Sequence, residues 1–116
     1  MINKITVSGG KEVKLAANAA TPFRYKQLFN KDLLRIFKDG SENDSENIML
    51  ADVCTELAFI MNRQAEGANM NALSMDDFYT WLEDYEAMDF VMVAEDIINI
   101  YLASTKTTVD AKKNPK

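Results

Sequence analysis

From Ile48 to Ala65 the chain repeats apolar side chains at helical spacing, over a stripe too wide for one neighbour to cover. Met49, Val53, Leu57, Ile60 and Met61 follow the 3.6-residue period, and Leu50, Cys54 and Ala58 widen it. Such a helix has to be buried on several sides at once. The remaining chain must then supply short elements that wrap around it. A length of 116 residues, 47% hydrophobic and 27% charged, suits one globular domain built this way. Gly67 closes the long helix, because glycine takes the left-handed conformation that ends one.

Residues 1–18 read as a β-hairpin. Ile5 and Val7, then Val13, Leu15 and Ala17, alternate with polar neighbours. Gly9-Gly10 between them suits a two-residue turn, which needs positive φ angles. An isolated hairpin is marginal, so its apolar face must lie on the helices that follow. Thr21-Pro22 reads as an N-cap followed by a proline in the first helical position. Phe23, Tyr25, Leu28 and Phe29 then mark a short helix, which Asn30 ends or bends. A second run, Lys31 to Lys38, carries Leu33, Leu34, Ile36 and Phe37 up to Gly40.

The polar stretch Asp39–Asn47 superficially resembles a calcium loop. Counted from Asp39, however, its sixth position is Asp44 rather than Gly and its twelfth is Leu50 rather than Glu, so it reads as a linker. Ser74-Met-Asp-Asp77 has the form of a capping box, and Phe78, Trp81, Leu82 and Tyr85 follow at helical spacing. Asp89 is placed to cap a last helix from Phe90 to about Leu102, with Met88 and Val93 as a hydrophobic staple. Phe90, Ala94, Ile97, Ile98 and Tyr101 form its buried side.

The expected fold is mostly α (α+β): about five helices in a small bundle with an N-terminal hairpin. Residues 1–103 form the single domain, and residues 104–116, polar and without period, form a flexible basic tail. The expected core includes Leu15, Tyr25, Phe29, Leu33, Val53, Leu57, Ile60, Phe78, Trp81, Leu82, Ile97 and Tyr101.

The chain has no histidine and one cysteine. Triads, the usual zinc sites and an internal disulfide are thereby excluded. Cys54 lies inside the apolar stripe with no basic residue within one turn, so it reads as a small buried hydrophobe. The carboxylate groups Asp76/Asp77, Glu83/Asp84/Glu86 and Glu95/Asp96 alternate with core aromatics or aliphatics, which turns them toward solvent. G-x-S-x-G does not occur, the one S-x-x-K match, Ser8-Gly9-Gly10-Lys11, is the expected hairpin turn and not the start of a helix, and Gly9-Gly10 lacks the Lys-Ser/Thr of a phosphate loop. The expectation is therefore a non-enzyme without cofactor or metal. No apolar run approaches a bilayer's width, and Met1–Lys4 lacks an h-region, so no membrane span or signal peptide is read.

Charge is strongly polarised. Residues 1–38 hold eight basic and two acidic side chains, residues 39–96 one and fifteen, and residues 97–116 four and one. This pattern suits solvated faces and also suits head-to-tail self-association. It does not suit nucleic acid, because no arginine-rich stripe stands apart from the acidic middle. Six of the seven methionines fall in the second half of the sequence or at its edge. Methionine fills irregular cores and also lines adaptable apolar surfaces. Met70, Met75, Met88 and Met92 are the candidates for a partner surface.

Two segments carry a family resemblance. Ala19-Ala-Thr-Pro-Phe-Arg-Tyr-Lys-Gln-Leu-Phe-Asn-Lys-Asp-Leu33 resembles the A-T-P start and R-x-Y-x-x-x-F-G-x-D-L run of tail assembly chaperones from long, non-contractile-tailed phages and prophages of Gram-positive bacteria, with Arg24 here directly before Tyr25. Phe78-Tyr-Thr-Trp-Leu-Glu-Asp-Tyr-Glu-Ala-Met-Asp-Phe90 is similar to that family's W-L-x-x-[FY]-E segment, and Phe59–Ala65 fits between them. The matching positions are Thr21, Pro22, Tyr25, Phe29, Asn30, Asp32, Leu33, Trp81, Leu82, Tyr85 and Glu86. Asn30 stands where the family shows Gly, and asparagine can hold the same backbone conformation.

The resemblance implies a non-enzymatic protein that coats the tape measure protein, keeps it soluble and recruits tail tube subunits. It would act in the host bacterial cytoplasm and be absent from the mature virion. Self-association into rings or spirals is a further expectation. The resemblance also implies a longer form made by a −1 frameshift, which would carry the tail tube contact. Lys112-Lys113-Asn114 can be written AAA-AAA-AAC, which contains a slippery heptamer. Codons there that cannot slip, or a closed −1 frame beyond them, would exclude that form. The alternative of a different class is a small prophage-encoded helical adaptor or regulator binding one protein partner. The first reading requires a gene between those of the tail tube and the tape measure; the second does not.

Overall fold

A computed structural model of the chain describes residues 2–33, 35–36 and 46–113. Among the described residues it is 64% helical, with five helices and a two-stranded antiparallel sheet at the N-terminus, as the periodicities imply. Strands β1 (Ile2–Val7) and β2 (Lys11–Ala16) pair from Ile2 opposite Ala16 to Val7 opposite Lys11. Then follow α1 (Thr21–Phe29), α2 (Glu46–Ala65), α3 (Met75–Leu82), the short α4 (Asp89–Met92) and α5 (Ala94–Lys113).

The hairpin turn differs by one residue from the expected two. Ser8, Gly9 and Gly10 form a 3-10 turn, and both glycines take positive φ, 76° and 78°. Alternation places Ile5, Val7, Val13 and Leu15 on the buried face. β2 has a free edge, which α2 satisfies. Asn62 Nδ2 donates to the Lys14 carbonyl (2.9 Å) and Gln64 Nε2 to the Ala16 carbonyl (2.7 Å). A sheet edge that would otherwise expose unpaired carbonyls is thereby covered.

Thr21 is the first helical residue rather than the cap, because Asn18 closes the preceding turn. Asn18 Oδ1 accepts from the Ala20 N–H, and the Thr21 hydroxyl oxygen accepts from the Asn18 N–H and from Gln64 Nε2. Thr21 is fully buried as a result. Pro22 sits in the first turn, and Asn30 ends α1 in the left-handed region at φ 59°, ψ 38°. After it the Asp32 carboxylate accepts from the Arg35 N–H (3.3 Å), and Leu33 is buried. The remainder of the expected second helix, and residues 39–45 of the expected linker, lie outside the described residues.

α2 is the central element and packs against β2, α1, α3, α4 and α5. Every side chain from Leu57 to Asn62 is buried, including Phe59, which lies off the expected stripe. Phe59 meets Phe78 and Trp81 at ring-centroid distances of 5.3 and 5.2 Å. The expected core is buried apart from Leu82, which is half-buried.

The last helix departs most from expectation. Asp89 does not cap it; Asp89 opens the separate helix α4. The chain then kinks at Val93 (φ −113°, ψ 21°) before α5 starts. Met88 precedes α4 as an exposed residue, so the Met88–Val93 staple does not form. α5 continues on the backbone to Lys113, well past Leu102. The polar run after Ser104 contains no Gly or Pro before Pro115, so nothing in it breaks a helix. Residues 105–113 are therefore helical where an irregular tail is expected.

Candidate functional site

A groove of about 340 Å³ opens between α2 and the corner joining α3 to α4. Asp52, Thr55 and Glu56 of α2 form one wall. Phe78 and Leu82 of α3, Tyr85, Glu86 and Ala87 of the corner, and Phe90 and Val91 of α4 form the other. The floor is apolar. Asp52 and Glu86 stand exposed at the rim, and among the described residues no lysine or arginine lines the groove.

Aromatic packing sets the far wall. α3 starts at the capping box expected from the sequence: the Asp77 N–H donates to Ser74 Oγ, and the Ser74 N–H donates to Asp77 Oδ2. That start directs Phe78 and Trp81 inward. Trp81 stacks on Phe90 at 4.9 Å and meets Tyr85 at 5.0 Å, so it lies directly behind two residues of the groove. Its indole Nε1–H donates to Asn62 Oδ1 (3.1 Å), which also accepts from Arg63 Nη2.

The hairpin tip holds the corner in place. Ser8 Oγ donates to Asp89 Oδ1 (2.6 Å), and the Glu86 N–H donates to Asp89 Oδ2 (2.8 Å). Lys11 Nζ donates to the Asp84 carbonyl and lies 4.6 Å above the Tyr85 ring. The Ser8 hydroxyl first, then the Glu86 N–H, hold the Asp89 carboxyl below its usual range. A depressed carboxyl stabilises the fold above its unfolded pKa, and that contribution is lost as pH falls through the lower folded value. Acid titration followed by circular dichroism should therefore show the native chain losing stability below pH 3.8 more steeply than Asp89→Asn. Equal slopes would remove Asp89 as the clamp.

The α2 wall is anchored from the other side. Tyr25 Oη donates to Glu56 Oε1 (2.6 Å), and Lys31 Nζ reaches both Glu56 oxygens at 3.1 Å. Burial, with the Glu56 carboxylate beside it, pushes the Tyr25 phenol far above its usual value. Glu56 is thus already paired, which leaves Asp52 and Glu86, among the described residues, as the open charges of the rim.

The structure divides the sequence candidates. Leu82, Tyr85 and Glu86 line the groove and Trp81 backs it, whereas Thr21, Pro22, Tyr25, Phe29, Asn30, Asp32 and Leu33 build the α1 side of the fold. Met88 and Met92 are 56% and 76% exposed on the α4 side, and Met75 is exposed at the start of α3. Met70 is half-buried against the core beside Arg24 and Leu28. The four methionines do not line the groove. Sequence reasoning missed Asn62, Asp52 and Val91. Asn62 carried a signal, as a lone amide inside an otherwise apolar run.

Chemistry at the groove is limited. Among the described residues no group of three or more Cys, Asp or Glu is placed to hold a metal ion. None of the described helices is long and apolar enough to cross a membrane. Cys54 is buried, its Sγ 3.7 Å from the Ala94 carbonyl, and burial pushes its thiol up to about 12. A thiol held in that state is a poor nucleophile. Labelling by a disulfide reagent should therefore track global unfolding across a urea series; fast labelling in native buffer would contradict the packing. No protein-family model, curated protein or solved structure matches the chain.

Proposed function

We propose that the chain is a phage tail assembly chaperone that binds the tape measure protein and keeps it soluble. The observation that carries this reading is a coincidence. The Trp81-Leu-x-x-Tyr-Glu86 segment, one of the two that carry the family resemblance, also supplies the wall of the acidic, apolar-floored groove. A tape measure protein is a long helical chain with apolar faces that aggregate when bare. Small subunits with an apolar binding surface and acidic exteriors shield such faces reversibly. The exposed Met88 and Met92 add adaptable apolar area beside the groove's α4 wall.

On this reading the protein works in the host cytoplasm and leaves before the virion is complete. Recruitment of tail tube subunits belongs to a longer frameshifted form. The test is co-expression with the tape measure gene of the same genome. Soluble tape measure protein should appear only when this chain is present, and equal solubility without it would end the proposal.

A further inference from the structure

We infer that the groove between α2 and the α3–α4 corner seats an apolar anchor side chain of a partner helix whose flanks are basic. The inference deepens the chaperone reading by assigning the face that meets the partner, and it rests on that reading for the helical form of the occupant.

The chemistry of the lining excludes other occupants. Leu82, Tyr85, Phe90 and Val91 offer an apolar floor, and about 340 Å³ accommodates one or two large side chains. Asp52 on one wall and Glu86 on the other face solvent above it, so an anionic ligand meets like charge from both sides. Among the described residues the lining contains neither a lysine nor an arginine to answer a phosphate or carboxylate, and Lys31 beside it is already held by Glu56. An extended peptide has no strand to pair with, because helices and a helical corner supply the lining and β2's outer carbonyls Lys14 and Ala16 are bound by Asn62 and Gln64. A helix carrying leucine or phenylalanine, with lysine or arginine a turn away on either side, satisfies floor and rim together. Charge complementarity of this kind fixes register and speeds association, and it weakens with salt.

Trp81 makes the groove readable. It is the single tryptophan, and it touches Tyr85 and Phe90 from behind. The probe is a synthetic amphipathic helical peptide with leucine on one face and lysine on the other. Its counterpart keeps the leucines and carries glutamate in place of lysine.

The lysine peptide should bind the full chain with a shift in Trp81 emission, about tenfold or more tighter than the glutamate peptide. Asp52→Lys with Glu86→Lys, both at exposed positions, should reverse that preference while circular dichroism stays native. Glu12→Lys reverses a charge outside the lining, on a side chain already paired with Lys4, and should leave binding within about twofold. Equal binding of the two peptides, an equal loss in Glu12→Lys, or binding without a Trp81 shift would each overturn the assignment. If the rim reversal abolishes peptide binding yet tape measure protein stays soluble, the groove is not the docking face and the chaperone reading stands. If the peptides behave as expected while tape measure protein is soluble alone, the groove stands and that reading falls.

Discussion

Trp81→Ala is expected to destabilise the domain by roughly 3–5 kcal/mol, the cost of emptying a large aromatic site in a close-packed core. Three separate losses point to the upper part of that range. Trp81 stands at 8% exposure among Phe59, Phe78, Tyr85 and Phe90, so its removal leaves a cavity bounded by rings from three helices and the corner. The stacking partner of Phe90 disappears, and with it the wall that supports the groove. Asn62 Oδ1 also loses its indole donor. Urea unfolding followed by far-ultraviolet circular dichroism measures the effect, since the variant lacks the fluorophore. A loss under about 1 kcal/mol, the range of ordinary surface substitutions, would mean that the aromatic cluster is not the centre of the fold.

Asn62→Leu is the second large effect. The leucine is nearly isosteric and suits the buried position, so packing alone predicts little change. Hydrogen bonding predicts a substantial loss. The Lys14 carbonyl and the Trp81 Nε1–H both lose their partner beside the core, at about 1–3 kcal/mol for each buried group left unpaired. The two causes separate in a double-mutant cycle with Trp81→Phe, which keeps a ring and drops the N–H. Asn62→Leu should cost less in the Trp81→Phe background than in the native one. Strict additivity would show that the Asn62–Trp81 hydrogen bond contributes nothing.

Much of this fold is written locally. Ser74 and Asp77 cap α3 because three-residue spacing alone satisfies both backbone donors, and Asn30 ends α1 because asparagine tolerates positive φ. The alternation of Ile5, Val7, Val13 and Leu15 needs no knowledge of the rest of the chain. Other features depend on partners distant in sequence. Thr21 has the composition of a cap, but Gln64 and Asn18 claim its hydroxyl and the helix starts a residue early.

Asp89 likewise has the composition of a cap. The Ser8 hydroxyl, eighty-one positions away, draws its carboxylate to the hairpin tip, and the expected single helix becomes two. Phe59 lies off the α2 stripe, yet it is buried because neighbours surround α2 there. The groove was the least legible part. Its floor residues were readable as core aromatics, but the gap beside them arises only when the corner is held off α2. The exposed methionines, readable from composition as a partner surface, are not among the residues that line it.

A chaperone that shields a long helical protein has to bind it in many copies, and the mass of the co-purified complex measures that number. The full chain and the tape measure protein of the same genome are co-expressed, isolated through a tag on the tape measure protein, and weighed by light scattering after size exclusion. The expected product is a soluble complex with several copies of this chain for each tape measure chain, which loses copies at high salt as the rim charges are screened. A one-to-one complex would fit an adaptor instead. A tape measure protein recovered soluble with none of this chain attached would contradict the account.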